Sequence, residues 1–86
     1  MQEKFQNYVF QLIETTCGFK PTIRVVEPAQ GTVQIFIDGS PNERALIMGR
    51  EAKNAQAFTR MIHIFARRNG YFAYFYVSPK NYEQKN

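Results

Sequence analysis

One stretch of the chain, residues 44–70, constrains the fold more than any other. It reads RALIMGREAKNAQAFTRMIHIFARRNG. A short apolar run at residues 45–48 leads into Gly49, and an amphipathic pattern then continues as far as Gly70. Apolar residues recur in that pattern at helical spacing, which predicts one buried stripe on a helix. The stripe consists of Ala55, Phe58, Ile62 and Phe65. The segment is therefore predicted to be two helices joined by a tight turn over residues 49–52.

Both ends of this segment carry further helix signals. Before it, Gly39-Ser40-Pro41-Asn42-Glu43 predicts a helix start, with Ser40 as the N-cap, Pro41 in the first turn and Glu43 closing a capping box. At the other end, Arg67 and Arg68 suit the negative end of the helix dipole. Gly70 follows them, where a left-handed residue commonly ends a helix.

The rest of the chain predicts one more helix and three strands. Residues 2–16 have apolar side chains at helical spacing, and Gly18 follows as a helix end. Short β-branched or aromatic runs predict strands over 21–27, 32–38 and 71–77, with turn residues at 28–31. The order is helix, strand, strand, helix, helix, strand, and the fold class is α+β.

The turn and its two helices resemble the KH family of nucleic-acid-binding domains, whose signature is Ile-Gly-x-x-Gly between two helices. The likeness is to small stand-alone bacterial KH proteins and to the KH domain of Jag-type proteins. The run in those proteins looks like Leu-Ile-Gly-Lys-x-Gly-x-x-x-x-Ala-Leu-Gln-x-Leu. Ile47, Met48, Gly49 and Arg50 match its start, and Ala57, Phe58 and Met61 match its helix. The predicted order of elements is also that of a type II KH domain.

This resemblance covers nearly the whole chain, including Ser78–Tyr82, which look like the tail after the last strand of Jag-type KH segments. It implies a KH-like domain over residues 1–80 and a C-terminal tail over 81–86. It also implies a three-stranded sheet with all helices on one face. The order of elements along this domain would be α-β-β-α-α-β.

The resemblance further implies a function in RNA binding. KH domains clamp about four nucleotides of single-stranded RNA with the loop between the two helices. The small proteins of this kind imply a post-transcriptional regulator or RNA chaperone that forms a homodimer or pairs with a Jag-type protein. Arg50 and Lys53 would contact phosphates, and Ile37 and Ile47 would lie beneath the bases. The predicted RNA-binding residues are Arg44, Ile47, Gly49, Arg50, Glu51, Ala52, Lys53 and Arg60.

Two residues of the turn depart from the family signature. Ala52 stands where the family has its second glycine, and a methyl group there hinders close approach of a phosphate. Glu51 places a negative charge in the middle of the turn. The alternative hypothesis is therefore a degenerate KH domain that acts in protein–protein association or dimerisation.

Aromatic residues give that alternative a surface. If helices cover one face of the sheet, strand alternation leaves a second face that carries Arg24, Val26, Gln34, Phe36, Phe72, Tyr74 and Tyr76. The opposite register would place Tyr71, Ala73 and Phe75 there instead. Either a second chain buries these rings or RNA bases stack on them. The predicted interface residues are Phe36, Phe72, Tyr74 and Tyr76.

Composition and motifs argue against an enzyme. The net charge of +4 permits contact with nucleic acid, and the lone Cys17 excludes an internal disulfide. His63 lies between Ile62 and Ile64, both expected to be buried, and is interpreted as a flanking or surface histidine. No metal-ligand spacing, nucleophile motif or phosphate-binding glycine loop is present, so we predict no cofactor, metal or small-molecule substrate. No apolar leader or long apolar run occurs, which predicts a cytoplasmic protein without membrane contact.

Overall fold

A computed structural model describes residues 1–77 of the chain. It contains the helices α1 (Gln2–Cys17), α2 (Pro41–Met48) and α3 (Lys53–Arg68), and the strands β1 (Thr22–Ala29), β2 (Thr32–Asp38) and β3 (Phe72–Val77). A single 3-10 turn, Arg50–Ala52, joins α2 to α3. The α+β class is confirmed. The end of the predicted domain at residue 80, Ser78–Tyr82 and the predicted tail lie outside the described residues.

The three strands form one mixed sheet in the order β1-β2-β3. β1 and β2 are antiparallel and are joined by the tight turn Gln30-Gly31, in which Gly31 has a positive φ of 85°. β3 lies parallel to β2, with Val33 opposite Ala73 and Ile37 opposite Val77. A parallel partner needs a crossover connection, and α2 and α3 provide it.

The first strand continues further than its sequence predicts. It runs through Pro28 to Ala29, whereas the sequence predicts a turn beginning at Pro28. Proline has no backbone N–H and cannot donate to a sheet ladder, and the register shifts between Val26 and Ala29. β1 lies at the edge of the described sheet, where a bulge and a proline are tolerated.

One face of the sheet and one stripe of each helix form the core. The buried strand residues are Ile23, Val33, Ile35, Ile37 and Ala73. The buried helix residues are Phe5, Val9 and Ile13 of α1, Ile47 of α2, and Phe58, Ile62 and Ala66 of α3. Each large apolar side chain removed from water contributes on the order of 1.5–3 kcal/mol, so this cluster holds the helices against the sheet.

The buried stripe of α3 differs in part from the predicted one. Phe58 and Ile62 are buried as predicted, but Ala66 completes the stripe, and Ala55 and Phe65 are half-buried at its sides. The Phe65 ring stacks on Tyr8 of α1 with 4.1 Å between ring centroids. Ile64, expected to be buried, is 55% exposed. It lies two residues beyond Ile62, and two residues rotate about 200° around a helix, so the two side chains point in opposite directions.

Candidate nucleic-acid interface

The helix that leads into the turn begins at the predicted capping box. The Glu43 backbone N–H donates to Ser40 Oγ at 3.2 Å, and the Ser40 backbone N–H donates to Glu43 Oε1 at 3.0 Å. Pro41 occupies the first turn of α2, where its missing N–H leaves no partner unsatisfied. The capping box sets the first residue of α2. Because α2 has eight residues, it also sets the position of Gly49 at the end of the helix.

The turn after α2 has an unusual backbone. Gly49, Glu51 and Ala52 have positive φ angles of 73°, 57° and 60°. The left-handed region suits glycine and costs other residues about 1–2 kcal/mol each. The Ala52 N–H donates to the Gly49 carbonyl at 3.2 Å, which closes the turn. Ala52 thus adopts a conformation that glycine favours.

Asn54 ties the two sides of the turn together. Its Nδ2 donates to the Leu46 carbonyl at 3.2 Å, so the first turn of α3 is hydrogen-bonded to the last turn of α2. The side chain also lies against Gly49, where an added Cβ would meet Asn54 Cγ at 2.5 Å. Gly49 is therefore required both by its positive φ and by this close approach.

The positive end of the α3 dipole lies at this turn. No side chain among the described residues caps the N-terminus of α3. Arg50 is exposed beside it. Glu51 and Lys53 are also exposed and form an ion pair with 3.8 Å between Oε1 and Nζ. Such a surface pair is weak, because water and salt screen both charges.

The structure separates some of the predicted RNA-binding residues from the turn. Ile37 and Ile47 are at most 1% exposed, so the expectation that they lie beneath bases is wrong: both side chains fill the core. Arg44 bends back toward the start of α2, where its Nη1 donates to the Gly39 carbonyl at 2.7 Å. Arg60 lies seven residues into α3 from Lys53, about 10 Å along the helix axis. The other predicted residues lie together in the turn and at the start of α3: Gly49, Arg50, Glu51, Ala52 and Lys53.

The second face of the sheet carries the aromatic residues in the first of the two predicted registers. Phe72, Tyr74 and Tyr76 are 68%, 51% and 41% exposed, and Phe36 is half-buried beside them. The rings of Phe36 and Tyr76 stack with 5.1 Å between centroids, and the Arg24 guanidinium lies 4.5 Å above the Phe36 ring. The opposite register is excluded, because Ala73 is buried in the core. We call Phe36, Phe72, Tyr74 and Tyr76 the aromatic face.

A groove that sequence reasoning did not anticipate follows the exposed side of α3. Its volume is about 540 Å³, and its lining includes the guanidinium groups of Arg60, Arg67 and Arg68 and the imidazole of His63. An adjoining hollow of about 220 Å³ is lined by His63 and Arg67 together with Tyr71, Phe72 and Tyr74. The sequence signal for this groove is the helical spacing of Arg60 from Arg67 and Arg68.

The described residues also bear on metal binding, membrane spans and the single cysteine. Within residues 1–77, no three His, Cys, Asp or Glu side chains are grouped closely enough to hold a metal ion. None of the described helices has the length and apolarity needed to cross a membrane. Burial raises the pKa of the Cys17 thiol, whose Sγ lies 3.7 Å from the Leu46 carbonyl.

Comparison with protein-family models, with curated proteins and with solved structures gives no match to this chain.

Proposed function

We propose that this chain is an RNA-binding protein of the KH kind, which contacts the backbone of single-stranded RNA at the turn Gly49–Ala52. The observation that carries the proposal is the left-handed backbone at Glu51 and Ala52. The chain lacks the family's second glycine, yet it keeps a turn geometry that glycine would favour. Retaining strained backbone at two neighbouring residues is typical of functional sites.

A type II KH fold is part of this proposal. It is supported by the order of elements along the chain, α1-β1-β2-α2-α3-β3. It is also supported by the core, since all three helices contribute buried residues to the same sheet face. A second sheet face left open to solvent agrees with this arrangement.

The chemistry at the turn suits a phosphate group. Backbone N–H groups at the start of α3 and the dipole of that helix favour an anion, and Arg50, exposed in the turn, supplies a positive charge. Glu51 acts against the phosphate, although its pairing with Lys53 offsets part of its charge. We therefore expect weak binding that depends on salt and tolerates different RNA sequences.

A titration of a short, unstructured, fluorescent RNA at several salt concentrations tests the proposal. Arg50→Ala should weaken binding and reduce the slope of log K against log salt by about 0.7, the value for one phosphate contact on a single strand. Lys20→Ala, which removes an exposed charge between α1 and β1, is the matched control and should leave the slope unchanged. Glu51→Lys with Ala52→Gly restores the signature and should strengthen binding. If neither the natural chain nor this restored variant binds RNA, the proposal is wrong.

The second candidate function is protein association through the aromatic face. The observation that favours it is the exposure of Phe72, Tyr74 and Tyr76 on one side of the sheet. Exposed apolar patches of this kind commonly mark interaction sites. A second copy of the chain or a Jag-type KH protein would then cover these rings, and the turn would no longer bind RNA.

A further inference from the structure

A basic surface, formed by three cationic residues in a row, follows the exposed side of α3 from the turn. Lys53, Arg60 and Arg67 are spaced seven residues apart, so their side chains project nearly in line, with a drift of about 20° per step. From the first to the last of them the helix advances about 21 Å. α3 contains no Asp or Glu. Within residues 1–77, the one ion pair of this surface is Lys53 with Glu51, so Arg60 and Arg67 keep their full charge toward solvent.

At its far end this basic surface meets aromatic rings. His63 and Arg67 line both the groove along α3 and the hollow that reaches Tyr71, Phe72 and Tyr74. β3 lies at the edge of the described sheet, and its Phe72 and Tyr74 side chains are 68% and 51% exposed. The exposed Ile64 adds an apolar contact inside the groove. The basic groove along α3 therefore leads to aromatic rings at its far end.

From this arrangement we infer a second RNA subsite. A single strand held at the turn continues along α3, with phosphates on Arg60 and Arg67, and ends with bases stacked on Phe72 and Tyr74. The inference rests on the proposed RNA-binding function and extends it beyond the turn. We call the surface formed by Arg60, His63, Ile64, Arg67, Phe72 and Tyr74 the α3–β3 subsite.

The chemistry of this subsite selects a single strand. Proteins that bind single strands combine a positive groove that follows the backbone with aromatic side chains on which bases stack. A duplex would offer phosphates to the arginines, but its bases are already stacked and cannot reach the rings. An acidic peptide would satisfy the arginines and leave the faces of the rings unused. The subsite therefore favours an RNA strand longer than the roughly four nucleotides that a KH loop clamps.

The test measures the affinity of the full chain for two unstructured RNAs. One has about four nucleotides and the other about twelve. The natural chain should bind the longer RNA more tightly. Arg60→Gln with Arg67→Gln should reduce the salt slope for the longer RNA by about 1.4, twice the value for one single-strand contact. Tyr74→Ser should weaken binding of the longer RNA by about tenfold, in the range found for loss of one stacked base. All three substitutions should leave binding of the shorter RNA unchanged.

Controls separate this inference from the proposed function. Lys20→Gln removes a charge from an exposed position outside the subsite and should not alter the salt slope. If Arg50→Ala weakens binding of both RNAs while the subsite variants bind like the natural chain, the subsite is wrong and the turn stands. If the subsite variants lose affinity but Arg50→Ala does not, the subsite stands and the turn is wrong. A chain that binds neither RNA overturns both.

Sedimentation of the same variants tests for a protein at this surface. If Tyr74→Ser raises the monomer fraction and leaves RNA binding unchanged, the surface is a protein interface and the inference is wrong. Circular dichroism confirms that each variant is folded, which is expected because the substituted side chains are all exposed.

Discussion

Asn54 lies against Gly49 across the turn between α2 and α3. Its amide donates to the Leu46 carbonyl at 3.2 Å, and a Cβ on Gly49 would meet Asn54 Cγ at 2.5 Å. One side chain therefore joins the end of α2 to the start of α3 and occupies the space beside the glycine. The turn is held by this contact as well as by its own backbone.

Gly49→Ala should destabilise the protein more than Gly70→Ala. Gly49 combines a φ of 73° with a ψ of 175°, a conformation restricted essentially to glycine, and Gly70 has a φ of 77°, so the backbone of both variants is strained. A Cβ on Gly70 meets nothing within 4 Å, whereas on Gly49 it meets Asn54. Overpacking of this kind adds about 1–3 kcal/mol. Urea unfolding of both variants measures the difference, and Asn54→Ala in the Gly49→Ala background should recover part of it. Equal losses for the two glycines would show that Asn54 is not in the way.

Ala52→Gly should raise the free energy of unfolding by about 1 kcal/mol, because glycine adopts the observed φ of 60° without a steric cost. In a domain of this size that corresponds to an increase in Tm of about 4–8 °C. Ala57→Gly is the control: Ala57 is exposed within α3, and the same substitution there should destabilise by about 1 kcal/mol. Thermal unfolding measures both. A lower Tm for Ala52→Gly would contradict the left-handed backbone.

Ser40→Ala should lower the free energy of unfolding by about 1 kcal/mol, because it removes the hydroxyl that accepts from the Glu43 N–H at 3.2 Å. Ser40→Asn retains an N-cap acceptor and should remain close to the natural protein. Chemical denaturation measures the free energy of unfolding of both variants, whose folded-state spectra should match that of the natural protein. If the alanine and asparagine variants are equally stable, the cap does not stabilise α2.

The protein should lose stability at alkaline pH through Cys17. Burial raises the pKa of this thiol, so the folded state disfavours the thiolate. The effect is absent while the thiol stays protonated in the unfolded chain, and it grows as pH rises above the unfolded pKa of about 8.5. Thiolate absorbance of folded and urea-unfolded protein measures the two pKa values. Cys17→Ala should reduce the alkaline loss, and identical titration curves in the two states would rule out the shift.

If the chain self-associates through the aromatic face, Phe36→Thr with Tyr76→Ser should raise the monomer fraction. These two rings stack at 5.1 Å and do not line the α3–β3 subsite, so their removal tests the aromatic face alone. Leu46→Ser, which removes an exposed apolar side chain from α2, is the matched control. Sedimentation across the micromolar range gives the result. If the natural protein stays monomeric throughout that range and does not associate with an added Jag-type KH protein, association through the aromatic face is excluded.

Local patterns in the sequence were sufficient for the elements and their class. The capping box at Ser40, the helical spacing of Phe5 and its neighbours, and the alternation along β2 each depend on residues a few positions apart. Local geometry relates such residues directly, so periodicity and capping identify them. The same reasoning located the turn at Gly49. The exposed position of Ile64 was also within its reach, since it follows from helical rotation alone.

Residues distant along the chain were positioned only by the tertiary structure. Strand alternation allowed either face of β3 to be buried, and the pairing of Val33 with Ala73 decided that Phe72, Tyr74 and Tyr76 face outward. Apolar Ile37 and Ile47 suited either a groove or a core, and packing of α2 against the sheet buried both. Arg67 and Tyr74 line one hollow only because β3 packs beside α3. The sequence by itself thus determined which segments are helices and strands, because those choices are local, while the surfaces open to a partner were decided by packing between segments.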